Sequence, residues 1–176
     1  MTARSRHPRG FTLLELAVVA VIVAVLAGIL LKRALYYQEQ AERTSVEQTL
    51  GILRSALHLQ MADRLLHPSR RPMSQLAGDN PMNWLAERPP NYVGEYAAPT
   101  PGQIAHGSWY FDTKDRTLVY LPTYDEHLQT APGENGNLRF RSHLVGSNNV
   151  DKAEGMLSDS AIEGVVLEPV KPYKWF

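Results

Sequence analysis

Cysteine is absent from all 176 residues, which excludes disulfides, thiol catalysis and cysteine-ligated zinc. Folding outside the cytoplasm must then rest on packing and anchoring. A surplus of charge is also absent. The 18 Lys and Arg are matched by 18 Asp and Glu, which argues against a generally basic nucleic-acid binder. Arg70-Arg71 and the pair Arg139 and Arg141 are too short to make a stripe for DNA, so no nucleic-acid partner is evident. There is no phosphate-binding glycine loop and no Gly-x-Ser-x-Gly elbow. The six histidines, at 7, 58, 67, 106, 127 and 143, never fall at His-x-x-x-His spacing, and His58 and His143 read as surface or structural residues. An enzyme is therefore not expected. What remains is 44% apolar and 20% charged, too apolar for a disordered chain and long enough for one domain plus an appendage.

That composition is unevenly spread. Between Phe11 and Leu31 only Thr12 and Glu15 are clearly polar. A helix over these residues is about 31 Å long, enough for the hydrocarbon core of a bilayer. Arg4, Arg6 and Arg9 precede the run, and Lys32 and Arg33 follow it. A cleaved secretory signal would be shorter and end at small residues, so the segment reads as retained. Glu15 does not belong in a plain anchor, unless it merely sits near the interface and is solvated by headgroups. An acidic side chain inside a membrane helix costs a few kcal/mol and calls for a partner. Gly10-Phe11 marks the junction between basic leader and apolar run. Cutting there would create an α-amino group on Phe11, cationic at neutral pH and five residues, counted inclusively, from Glu15. In parallel helices offset along their axes, Glu15 of one subunit reaches the amine of the next. Pairing offsets the desolvation of both charges and sets the axial register.

The run Arg9-Gly10-Phe11-Thr12-Leu13-Leu14-Glu15-Leu16 resembles the processing motif of type IV prepilins and of the pseudopilins of type II secretion. The resemblance covers residues 1–31. It implies removal of the leader after Gly10 by a membrane prepilin peptidase, N-methylation of Phe11 by the same enzyme, and subunit docking through Glu15. Processing would leave 15 basic and 18 acidic residues, a formal charge of −3. The leader arginines place the amino end in the cytoplasm by the positive-inside rule, and the bulk of the chain outside the inner membrane. Ala20, Ala24 and Gly28 recur every fourth residue, a small-residue ridge that lets helices approach closely. The family often has proline near position 32. Lys32 stands here, so a continuous helix is expected.

Past the membrane segment, Val46, Leu50, Leu53, Leu57, Met61 and Leu65 are spaced as one face of an amphipathic helix. Glu39, Glu42, Arg43, Glu47, Arg54 and Arg64 occupy other positions and can stay in water. The helix should end near His67-Pro68. Eleven of the 12 prolines and nine of the 12 glycines lie from Pro68 onward. Residues 68–106 read as a long connection with a short helix around Met82–Glu87, capped by Asp79 or Asn80 and pinned by Trp84, Leu85, Tyr92 and Tyr96. Ser108–Asp112 and Thr117–Leu121 flank a polar turn and predict a hairpin. Leu138–Val145 alternates as a half-buried strand, and Ala161–Val170 can form a fourth.

The predicted fold is α+β and pilin-like: a long amino-terminal helix packed on a small antiparallel sheet. The predicted divisions are a leader at 1–10, a transmembrane and assembly half at 11–31, an amphipathic half at 32–67, a connection at 68–106 and a sheet domain at 107–176. Two oxygen-rich loops bear on calcium. One holds Asp125, Glu126, Glu134, Asn135 and Asn137; the other holds Asn148, Asn149, Asp151, Glu154 and Asp159. Calcium needs six to eight converging oxygens, and sequence shows oxygen-rich loops rather than convergence. Calcium stays an allowed but unsupported alternative, and the expectation is no cofactor and no metal. The resemblance implies a pilin-like fibre subunit whose partners are the prepilin peptidase, other subunits, an inner-membrane assembly platform and the lipid bilayer. The missing disulfide favours a minor pilin or a pseudopilin over a major adhesive pilin. The alternative is an unprocessed, single-pass, membrane-tethered periplasmic binding domain.

Overall fold

The computed structural model describes residues 11–67, 72–146 and 162–176. The chain forms two units, with the boundary between Gln40 and Ala41. One helix, α1 (Leu13–Leu66, 54 residues), supplies the described part of the first unit and the opening element of the second. No proline interrupts it, and it runs unbroken through Lys32.

In the second unit, five strands form a mixed sheet in the order β1 (Tyr92–Tyr96), β2 (Ser108–Asp112), β3 (Thr117–Leu121), β5 (Leu138–Gly146), β6 (Ile162–Pro169). β4 (Leu128–Thr130) and β7 (Tyr173–Trp175) pair as a separate two-stranded ribbon. The predicted β2–β3 hairpin closes with Asp112 opposite Thr117, and Asp112 Oδ1 accepts the amide of Lys114 at 3.0 Å in the turn. Strand alternation sorts the side chains into two layers. Trp109, Phe111, Leu118, Tyr120, Leu138, Phe140, Val165 and Leu167 join Val46, Leu50, Leu53 and Leu57 of α1 in the main core. Tyr110 and Val119 face the other way and form a smaller cluster with Ile104. Burying each helix leucine contributes on the order of 1.5–3 kcal/mol, so this stripe holds helix and sheet together.

The α+β arrangement is as expected, but the sheet is mixed rather than antiparallel. The difference comes from β1, which lies within the stretch read as a connection and pairs parallel to β2. Its register shifts between Tyr92 and Glu95, where Gly94 takes φ +113, a value that side-chain-bearing residues rarely adopt. The short helix expected at 82–87 is a single 3-10 turn, Pro81–Trp84, capped by Asn80, whose side chain accepts the Met82 amide at 3.0 Å. Trp84, Leu85 and Tyr92 pack on the main core and Tyr96 on the smaller cluster, the pinning role expected of them.

Two expectations on the helix face are corrected. Leu65 is 71% exposed and Arg64 is 7% exposed, the reverse of their assignment. Each four-residue step on a 3.6-residue helix drifts by about 40°, so two steps beyond Leu57 carry Leu65 off the core face, while the seventh residue, Arg64, returns to it. Glu39 is likewise buried.

Candidate assembly site

The helix α1 begins at Leu13, two residues after Phe11. Thr12 precedes Leu13, and its hydroxyl accepts the Glu15 amide at 3.2 Å while its carbonyl accepts the Leu16 amide at 3.1 Å. Thr12 is therefore the N-cap, and Thr12-Leu13-Leu14-Glu15 has the spacing of a capping box. Glu15 sits in the first turn, where the positive end of the helix dipole favours a carboxylate. Local helix chemistry thus explains an acidic residue at this position even before any partner is considered. The sequence reading missed the cap, although Thr-x-x-Glu before an apolar run is its signature. Phe11, 71% exposed, lies two residues ahead of the helix. Gly10 and the rest of the leader lie outside the described residues.

From Phe11 to Leu31 every residue is exposed, including Leu13, Leu14, Val21 and Leu30. Such a surface demands cover from something other than its own chain. α1 is long and apolar enough to cross a membrane. Lys32 and Arg33 end the apolar run, and Tyr36 and Tyr37 follow, their rings edge-on at 5.8 Å. Basic and tyrosine side chains are both common where membrane helices meet water. Ala20, Ala24 and Gly28 are exposed, and a Cβ added at Gly28 would meet nothing within 4 Å. The ridge is open to a second helix.

In the second unit, α1 is fixed to the sheet by Glu42, which sequence had placed in water. Its Oε1 accepts the Tyr120 hydroxyl at 2.7 Å and the Thr123 amide at 2.7 Å, and its Oε2 accepts the Tyr124 amide at 2.9 Å. Burial, together with the bond to the Glu42 carboxylate, pushes the Tyr120 phenol well above its ordinary pKa. Nothing in the sequence singles out Glu42, because its three donors lie about 80 residues away. Arg43, beside it, reaches the Phe176 ring at 6.0 Å from the centroid, and that ring stacks on His127 at 4.8 Å.

Among the described residues, no group of three or more histidines and acidic residues is placed to hold a metal ion. Glu134, from the first oxygen-rich loop, instead faces Arg139 at 3.2 Å and Lys171 at 3.3 Å. Asn148, Asn149, Asp151, Glu154 and Asp159 lie outside the described residues.

Comparison with known proteins bears on the same helix end. No solved structure matches the chain. Over 66 residues, 38% of the chain, it is 35% identical to the type II secretion system core protein G of Klebsiella michiganensis. That match spans about half of the relative, 46% of its length. The family model for the prokaryotic N-terminal methylation motif matches residues 5–31, so the cap, the acidic first turn and the exposed apolar run described above all lie within a prepilin-type motif.

Proposed function

We propose that this chain is a non-enzymatic, pilin-like subunit that is cut after Gly10 by a prepilin peptidase, methylated on Phe11 and polymerised through its apolar helix. The fibre is a type II secretion pseudopilus or a type IV pilus, with this chain in its shaft or at its tip. One observation carries the reading. An N-terminal methylation motif coincides with a capped helix start whose following residues, through Leu31, are apolar save Glu15 and uncovered by their own chain. Before assembly the lipid bilayer covers that surface; in the fibre, neighbouring helices do. The amine of one Phe11 and the Glu15 carboxylate of a neighbour would form a charge-assisted pair in a medium of low dielectric, where an unpaired carboxylate is costly. In this reading the leader is cytoplasmic, the second unit is periplasmic, and an inner-membrane platform drives assembly. The likeness to a type II secretion core protein favours the pseudopilus. No cofactor and no nucleic acid enter the scheme.

The test is the mass of the amino-terminal peptide of protein taken from host membranes. Loss of residues 1–10 with one methyl group on Phe11 is the expected result. An intact leader in cells that hold the peptidase would leave the unprocessed, tethered binding domain as the better description.

A further inference from the structure

On the face of the sheet turned away from α1, a cavity of about 310 Å³ opens between the 97–107 segment and the 135–139 segment. Its volume lies at the low end of the ~300–1,000 Å³ range of small-molecule sites. Three polar side chains that line it have no protein hydrogen-bond partner among the described residues: the Tyr110 hydroxyl, the amide of the exposed Asn135 and that of the half-buried Asn137. Tyr110 is only 4% exposed, yet its hydroxyl keeps contact with water at the cavity and can exchange that water for a ligand. Burial raises its pKa above the ordinary tyrosine value. The hydroxyl therefore stays protonated and can both donate and accept. His106 sends Nδ1 to the Pro122 carbonyl at 2.6 Å, which leaves Nε2 of the neutral ring as an acceptor.

The lining excludes most ligand classes. It contains no aspartate or glutamate, so a cation would find no carboxylate to coordinate it directly, and it would meet the Arg139 guanidinium. Its one formal cation, Arg139, is already shared among Glu134 at 3.2 Å, Asp115 at 3.3 Å and Asp112 at 3.8 Å, so an anion would meet a neutralised guanidinium backed by three carboxylates. A purely apolar ligand would strand the Tyr110 hydroxyl and both amides. What remains is a neutral molecule with hydroxyls on one edge and C–H groups on another. Ile104, Leu121 and the Tyr110 ring offer apolar surface for the second.

We propose that this cavity is a binding site for a neutral saccharide unit, its hydroxyls held by Tyr110, Asn135 and Asn137 and its C–H face by Ile104 and Leu121. The site lies wholly within the second unit, and its occupation requires neither processing nor assembly. The proposal therefore stands or falls apart from the fibre reading. The test is saturation-transfer NMR and calorimetry on the full chain in a detergent without a sugar headgroup. The probes are glucose, galactose, mannose and N-acetylglucosamine, with sodium phosphate and a tetramethylammonium salt as charged controls. At least one sugar is expected to bind saturably, weakened about tenfold or more in both Tyr110→Phe and Asn137→Ala. Because the Tyr110 hydroxyl has no protein partner, Tyr110→Phe should fold as the parent does, which circular dichroism checks. No saturable sugar binding, saturable binding of a charged control alone, or sugar binding unchanged in both variants would each overturn the proposal.

Discussion

Two stretches of one helix handle apolar side chains in opposite ways. From Leu13 to Leu31 they surround the helix, and all are exposed: Leu13 is 87% exposed and Leu14 76%. From Val46 to Leu57 they keep to one side and are buried: Leu53 is 0% exposed and Leu57 1%. The backbone is the same throughout; the solvent intended for it is not. A stripe is the solution for a helix that has one apolar neighbour and water elsewhere. An all-round apolar surface is the solution for a helix that meets no water in its working state. In the proposed function the first unit is finished by lipid or by other subunits, whereas the second buries its own apolar core.

The sharpest way to break this contrast is to alter each half and look for effects in the other. Glu15→Ala is expected to abolish fibre formation, scored by sheared fibres and subunit crosslinking. Membrane insertion should be retained, and the unfolding free energy of the second unit should stay within about 0.5 kcal/mol. Fibres of normal yield would remove Glu15 from the docking account. Leu53→Ala should do the reverse, lowering the denaturant stability of the second unit by about 2–5 kcal/mol while leaving insertion intact. The same truncation at the exposed Leu59 should change stability by less than about 0.5 kcal/mol. A smaller effect is expected at the clip. Glu42→Ala removes the acceptor of three donors and should cost about 1–3 kcal/mol. The clip also has a pH signature. The folded Tyr120 titrates above its ordinary 10.0, so the unfolded chain releases its proton first as pH rises. The stability contributed by the neutral phenol is complete below pH 10.0 and declines above it. Urea melts from pH 9 to 11 should show that decline, and Tyr120→Phe should lessen it, leaving the part due to Tyr92, Tyr110 and Tyr173, whose pKa values burial also raises.

The sequence was most legible where one physical requirement acts locally. The apolar run, the stripe through Leu57 and the β2–β3 hairpin each follow from periodicity or turn chemistry within about 20 residues. It was least legible where partners are distant. Glu42 looks like any solvated charge of a helix until its donors at Tyr120, Thr123 and Tyr124 are brought to it. β1 was hidden because Pro89, Pro90 and Gly94 read as loop signals, and its pairing with β2 is long-range; the alternation of Tyr92, Gly94 and Tyr96 was the available clue. The ribbon of β4 and β7 is three residues on each side, too short for a period to register. At the candidate site, motif and spacing singled out Gly10, Phe11 and Glu15 as expectations, but not the cap at Thr12. The cavity around Tyr110 could not be read at all. Its lining comes from four separate segments that carry no shared pattern.

Parallel pairing of β1 with β2 has a consequence for how such a molecule can diversify. Two neighbouring strands that point the same way cannot be joined by a tight turn. The chain from residue 97 to 107 must pass over the outer face of the sheet before it re-enters at Gly107. There φ is +78, and a Cβ would stand 2.9 Å from the Thr123 hydroxyl oxygen. That strap forms one wall of the cavity and, apart from Ile104, none of the buried core. Doubling the length of a flexible loop costs only about 0.6 kcal/mol in closure entropy. Insertions and substitutions in the strap can therefore reshape what the outer face holds while the helix–sheet core and the amino-terminal motif are inherited unchanged. The strand order separates the part of the chain that is free to vary from the part that is not.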